Sequence, residues 1–551
     1  MTRFTTLLSP ELIAQHTSSG AWPNRLLNDF LADDLAKTPD KVALIDSRQK
    51  LTYRELDRRV TRCAFGLLDM GLKAEDVMAL QLPNWIEFII LHLAATRIGV
   101  VSALITPVSR NRELVHMLNL SEAKLIVIPD QFRQHDYRKM LFNLKAELPH
   151  VKHILVVGET LHANEMKWES FADYAWEKNQ SLEQLEHLRP DANAVTEIVF
   201  TSGATGEPKG VMHTSNTIVA PQLALAQSLH LCADDVLHIA STIGHQTGFL
   251  NGVRLPLQLG ATVVLQDVWR AEQMVEWIDQ YRITVSSGSA TFLLDLLRAN
   301  NLAENDLSSL RLFRCGGGPI PRALLHEARE KLPQVSIHCG WGQSENAVVT
   351  LTRPGDTDEK LLSTDGRAQP GMQVRVVDAK HQPLTPGQEG RLQCAGPFMF
   401  VGYIKQTQLT QENFIGPWFD TGDLATLDLD GYVRITGRIK DIIIRGGENI
   451  PVKYVEDALY EDTRIQDAAI VAMPDPRLGE RACAFVICRE HQHLNLSDMQ
   501  AFLSTRGIAK VYWPERLEIR ATLPRTANGK IRKADLREEL RKESQNTSKT
   551  H

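Results

Sequence analysis

Cysteine is sparse and never paired. The seven in 551 residues (Cys63, Cys232, Cys315, Cys339, Cys394, Cys483 and Cys488) contain no C-x-x-C spacing, which argues against both a thiolate zinc motif and a secreted disulfide framework. Reduced thiols of a cytoplasmic protein are the expectation. Long uncharged hydrophobic runs are missing too. The most lipid-like stretch, residues 85–108, is interrupted by Glu87, His92 and Arg97, so it reads as a buried helix–strand pair and not as a transmembrane span. The first ten residues lack the apolar core of a signal peptide. Nor does one sign of charge dominate: 61 Lys and Arg face 67 Asp and Glu, a formal net charge of −6. That balance gives no electrostatic reason to expect nucleic acid or an anionic membrane as partner. With 43% hydrophobic and 23% charged residues, the chain has the composition of a globular protein with a large core. At roughly 150 residues per domain, its length calls for more than one domain.

Short apolar runs recur between segments of helical periodicity. Val77-Met-Ala-Leu-Gln-Leu82, Lys124-Leu-Ile-Val-Ile-Pro129, Ile154-Leu-Val-Val157 and Ala261-Thr-Val-Val-Leu265 read as strands, whereas residues 57–70 place Val60, Cys63, Leu67 and Leu68 near one helix face. The pattern predicts an α/β fold: a large N-terminal domain, residues 1–439, of helix-covered, mostly parallel sheets. Within it, residues from about 350 to 436 are expected to form a β-rich subdomain, with Asp430-Gly431 as a hairpin turn. The pattern then resets. Helix-like segments at 455–460, 499–503 and 533–540, with strand-like runs at 468–473 and 482–488, predict a small α+β domain over residues 440–551. Its final polar residues are expected to fray.

The strongest local signal is Thr201-Ser-Gly-Ala-Thr-Gly-Glu-Pro-Lys-Gly210, directly after the strand-like Ile198-Val-Phe200. Small residues let backbone N–H groups wrap a polyphosphate, and Lys209 can add a point charge. It is not a Walker A loop, because Pro208 precedes the lysine and Gly210 follows it. A metal ligand must therefore come from elsewhere. Alone, such a loop has a mobile surface turn as its lesser alternative.

Other motifs follow in order: Leu51-Thr-Tyr-Arg-Glu-Leu56, Gly340-Trp-Gly-Gln-Ser-Glu345, Phe419-Asp-Thr-Gly-Asp-Leu424, Gly437-Arg-Ile-Lys-Asp441, Arg445-Gly-Gly-Glu-Asn-Ile450 and Pro524-Arg-Thr-Ala-Asn-Gly-Lys530. With the 201–210 loop they resemble the acyl-adenylate-forming superfamily over nearly the whole chain past residue 50. The branch most similar is that of bacterial short- and medium-chain fatty acyl-CoA synthetases and cyclohexanecarboxylate-type CoA ligases. The resemblance implies that a carboxylate attacks the α-phosphate of ATP, expels pyrophosphate, and passes from acyl-AMP to a thiol. Charge then builds on phosphate oxygens, so cations and N–H donors aimed there should dominate catalysis.

The same resemblance distributes the roles. Thr201, Ser202, Gly203, Thr205 and Lys209 would hold the outer phosphates; Glu345, with Ser344 beside it, would hold Mg²⁺. Gly316, Gly317, Gly318 and Gly342 would line a flat adenine slot against Trp341, a stacking ring in this reading and a core Trp in the competing one. Asp423 would accept from the ribose hydroxyls, and Arg438 would approach from the domain junction. Lys530 would bring its charge to the acid and the α-phosphate on the mobile small domain, with Lys440 as the hinge. Gly446 and Gly447 would line the thiol's path. Coenzyme A is the expected acceptor, since no carrier domain is present. The alternatives are a standalone ligase that loads carrier-protein phosphopantetheine, and a non-catalytic nucleotide-binding protein of the same fold. A homodimer is compatible with the sequence.

The acid is read from fewer residues. His245 matches a gate near the carboxylate, or else a hydrogen-bonded core histidine. Phe249, Ala290, Thr291 and Ala347 offer an apolar wall. No Asp or Glu lies between Asp235 and Asp267, so a substrate ammonium group would find no partner there. The expected substrate is an uncharged-tail monocarboxylate, medium-chain or alicyclic.

Overall fold

The computed structural model describes residues 3–202, 208–317, 320–445, 448–475, 478–506, 508, 510–526 and 529–548. The apolar runs become strands of two long sheets. In the eight-stranded sheet, Val77–Leu80, Val101–Leu104, Leu125–Pro129 and His153–Val157 pair in parallel. In the nine-stranded sheet, Leu312–Gly316 is an interior strand, parallel to Val285–Gly288 on one side and Ser336–Gln343 on the other. One apolar core lies between the sheets and takes in the helices Tyr53–Asp69 and Ile86–Arg97, while two further cores cover the outer faces. Ile86–Arg97 is buried at every position but Arg97, which explains its all-round apolar sequence. It is followed by Val101–Leu104, the helix–strand pair expected of residues 85–108. Tyr53–Asp69 starts at a capping box: the Glu55 N–H donates to Thr52 Oγ1 at 3.2 Å, and the Thr52 N–H donates to Glu55 Oε2 at 2.8 Å.

The β-rich subdomain is a five-stranded sheet running from Gln373–Val377 to Val433–Arg438. It starts later than the expected 350. A tight turn after Gln343 folds Ala347–Leu351 back, antiparallel, onto Ser336–Gln343, so this strand and Arg367–Ala368 extend the nine-stranded sheet. Gly431, at φ +82°, makes the hairpin turn into Val433–Arg438.

The small domain has its own five-stranded sheet, built from Ile443–Arg445, Glu448–Ile450, Ile465–Asp475, Gly479–Cys488 and Arg516–Ile519. Separate apolar cores cover its two faces. The last helix, Lys533–Ser548, outruns the expected 533–540 because Leu536 and Leu540 pack on the sheet and Glu539 and Glu543 pair with Arg520 and Arg516. Between the domains lies one turn, Ile439–Asp441. Among the described residues no helix is long and apolar enough to cross a membrane.

Candidate active site

The described ends of the phosphate-loop motif lie on two antiparallel strands. Val195–Ser202 and Pro208–Thr214 pair with Thr201 opposite Lys209; Gly203 and Thr205 lie outside the described residues. The Lys209 ammonium sits over the Tyr403 ring, 5.1 Å from its centroid, and the Tyr403 hydroxyl donates to Glu345 Oε1 at 2.8 Å. The hairpin lysine and the expected metal carboxylate are therefore neighbours, joined by a tyrosine. Burial raises the Glu345 carboxyl above its usual range, against the Tyr403 hydrogen bond and the charges of Arg438 and Lys209. The Ser344 carbonyl accepts from His213 Nε2 at 2.7 Å, and burial drives that imidazole down to about 4. The turn behind Glu345 is tight: the Gln343 N–H donates to Asn346 Oδ1 at 2.7 Å, and a Cβ on Gly342 would come within 1.6 Å of the Ala347 carbonyl oxygen.

Asp423 closes the opposite side. It is buried, and both carboxylate oxygens are gripped: Oδ2 accepts from Trp341 Nε1 at 2.8 Å and Gln343 Nε2 at 3.2 Å, and Oδ1 pairs with Arg438 Nε at 2.9 Å. Trp341 lies at the edge of a core with Val349 and Phe419 and reaches the cleft, so it orients Asp423 whatever else it touches. Gly317, Trp341, Gly342, Asp423, Arg438 and Lys530 line one cleft of about 1360 Å³ between the domains. Gly316 lies beside it; Gly318 is outside the described residues.

Lys530 arrives on a braced loop. The Thr526 N–H donates to the Lys530 carbonyl at 2.7 Å, the Lys530 N–H to Thr526 Oγ1 at 3.2 Å, and Arg525 both reaches the Gly529 carbonyl at 2.5 Å and pairs with Asp467. The Arg438 charge, with burial, lowers the amine to about 8, opposed by Asp423 and Asp441. His245 caps the helix Gln246–Phe249, its Nδ1 accepting from the Thr247 N–H at 3.3 Å. Burial, with the Lys530 charge second, lowers it to about 4, so it is neutral. Of the expected acid wall, Ala290 and Thr291 line the cleft. Phe249 does not: it is fully buried with its ring against His92 and Phe88, because its side of the helix turns to the core between the sheets. Ala347 packs behind the cleft on Ile218 and Leu250. Lys440 lies in the connecting turn, next to Asp441, which pairs with Arg537 at 2.8 Å. Gly446 and Gly447 fall outside the described residues.

The model of the AMP-binding enzymes matches residues 31–404, and that of their C-terminal domain matches residues 454–530. This chain belongs to the AMP-binding enzymes. It is 37% identical to the medium-chain fatty-acid–CoA ligase of Escherichia coli K12, across 96% of this chain and 92% of that protein. It is 30% identical to the 2,3-dihydroxybenzoate-AMP ligase of Bacillus subtilis 168, across 96% of both. Its fold matches that of an anthranilate CoA ligase in complex with anthranoyl-AMP at a TM-score of 0.86, over 95% of this chain and 98% of that one, at 21% identity.

Within this AMP-binding enzyme, two site residues escape sequence reasoning. Tyr403 is one; it enters through the two-residue strand Gly402–Tyr403, which pairs with Pro208–Thr214, and two residues carry no periodicity to read. Gln343 is the other. Its amide donates to Asp423 and to the Thr421 carbonyl, yet in sequence it is one polar residue within the Gly340–Glu345 motif.

Proposed function

We propose that this AMP-forming acyl-CoA synthetase joins a carboxylic acid with a medium-chain or alicyclic body to coenzyme A. An oxygen of the acid attacks the α-phosphorus of ATP as the bond to pyrophosphate breaks. The thiol then attacks the acyl carbonyl and AMP leaves. The convergence of Lys530, Arg438 and Asp423 on one cleft carries this reading: two cations lie where phosphate charge must be met, beside an acceptor for ribose hydroxyls.

Thr201, Ser202, Gly203, Thr205 and Lys209 hold the outer phosphates in this reading, and Trp341 with the Gly316–Gly318 strip holds the adenine. Glu345 fits Mg²⁺: it is a hard oxygen donor a tyrosine away from the phosphate-binding lysine, and magnesium at phosphates takes one or two carboxylates. Bound there, the ion would screen pyrophosphate charge. Neutral His245 stands beside Lys530 and adds no third cation to Lys530 and Arg438. Glycines 446 and 447 take the thiol's side after rotation about Lys440.

A panel of carboxylic acids with ATP, followed by pyrophosphate release and thioester formation with and without coenzyme A, tests the whole reading. Acid-dependent pyrophosphate and a CoA thioester are expected. Thioester formed only on a phosphopantetheine carrier protein would replace the acceptor, and no acid-dependent pyrophosphate would overturn the reaction.

A further inference from the structure

The strand that ends in the glycine strip carries a charge with no visible counterpart. Arg314 lies at the centre of Leu312–Gly316 and is 4% exposed. Among the described residues no carboxylate pairs with it, and its Nε has no hydrogen-bond partner. Other arginines of this region are matched: Arg254 meets Glu197 at 2.8 Å and Arg322 meets Asp365 at 3.1 Å. Burial lowers Arg314 only to about 10, so it remains a cation at neutral pH.

Its direction is informative. Phe313 and Cys315, on the other face of the strand, belong to the outer core, whereas Leu312, on the same face as Arg314, packs between the sheets. The guanidinium is folded toward the cleft end of the strand: a Cβ on Gly316 would lie 3.6 Å from Arg314 Nη1. One residue on, a Cβ on Gly317 would lie 3.6 Å from Thr247 Oγ1, and Thr247 is held by His245. Arg314 therefore lies under Gly316, one residue before the Gly317 that faces Thr247 of the His245 helix. That helical stretch adds a second observation. The buried Gln246 has no partner for either amide atom, nor has the buried Asn251 for Oδ1.

A lone buried cation is costly, and an arriving anion relieves the cost. A planar guanidinium suits a carboxylate because it can donate two parallel hydrogen bonds. We propose that Arg314 binds a second carboxylate on the acid, so that the substrate is a dicarboxylate with one end activated beside Lys530 and the other held under Gly316. The proposal rests on the ligase reading and replaces the uncharged tail expected from the sequence, which asked only what would pair a substrate cation.

The test uses the full chain and pyrophosphate release. Succinate, glutarate and adipate are compared with butanoate, pentanoate and hexanoate, and adipate also with 6-hydroxyhexanoate, in wild type, Arg314→Lys and Arg314→Met. At the best length the diacid should exceed its monoacid in kcat/KM by on the order of 30-fold. Arg314→Met should reverse that preference, and Arg314→Lys should keep part of it. Wild-type preference for the monoacid at every length overturns the proposal and leaves the ligase reading standing, as does an equal loss for both acids in Arg314→Met. A best rate with 6-hydroxyhexanoate also overturns it, in favour of a neutral acceptor. Pyrophosphate from no acid overturns both readings. Should Arg314→Met fail to fold, the wild-type series alone decides.

Discussion

Lys530 is the residue whose environment says most about its task. An amine held near 8 beside Arg438 is charged at neutral pH and loses its charge as the pH rises through that value. If adenylation needs the charge, its kcat/KM should fall on the alkaline side near pH 8, since that ratio reports the free enzyme. The thioester half-reaction, started from preformed acyl-AMP, should show no such limb. Arg438→Met should move the limb upward, because the Arg438 charge is the first cause of the depression; an unmoved limb would assign it to another group. Lys530→Ala should lose on the order of 10²–10³ in adenylation, comparable with removing one preorganised donor. It should still convert acyl-AMP and coenzyme A to thioester, and equal losses in both halves would defeat the assignment. Glu345→Gln tests the metal in the same way. It should weaken use of MgATP at limiting Mg²⁺ far more than binding of the free acid, and unchanged pyrophosphate release there would remove Glu345 from the metal.

Elements explain what the sequence could and could not say. Short apolar runs were legible because strands buried on both faces need them, so Val77–Leu80, Leu125–Pro129 and Thr262–Leu265 emerge close to where the sequence places them. The order of strands within a sheet was not legible. Ala347–Leu351 joins the nine-stranded sheet through a turn set by Asn346 and Gly342, and no periodicity reports which sheet a strand will join. The lining of the cleft was legible where a motif carries it, as at Asp423, Arg438 and Lys530. The candidate site was hidden where a residue acts through the fold, as Tyr403 does from a two-residue strand and Arg314 from beneath glycines. The turn Ile439–Asp441 is the element with a prediction of its own. It is the short connection between two separately cored sheets. Lys440→Pro would fix φ near −65°, inside the range of a 3₁₀ turn, and so keep this arrangement while blocking another. Acyl-AMP should accumulate while acyl-CoA formation collapses; near-normal rates for both halves would place the hinge elsewhere.

At the scale of the molecule, the His245 helix and the hairpin of Val195–Ser202 and Pro208–Thr214, proposed to face the acid and the phosphates, lie on different elements and must still be held in one geometry. Glu197 lies on Val195–Ser202, the strand that leads into the phosphate loop. Arg254 ends the helical stretch Leu250–Arg254, which continues from the His245 helix and packs on strands of the nine-stranded sheet. Their side chains are 0% exposed, and Glu197 Oε2 accepts from Arg254 Nη2 at 2.8 Å and Nε at 3.2 Å. Such a pair adds little net stability, because desolvation offsets much of its attraction, yet breaking it strands a charge in the core at a cost of about 3–5 kcal/mol. Glu197→Gln should therefore lower the unfolding midpoint of the large domain strongly. The double variant Glu197→Leu with Arg254→Met, which removes both charges, should recover most of the loss. The two domains have separate cores, so the transition is followed by a probe confined to the large one, such as hydrogen exchange along Val195–Ser202. If the pair also sets the spacing of gate and hairpin, the double variant will be stable but slow in adenylation, with thioester formation from acyl-AMP less affected. A double variant as unstable as the single one would mean that the site needs the ion pair itself, and a Glu197→Gln variant as stable as wild type would show that Arg254 finds another partner.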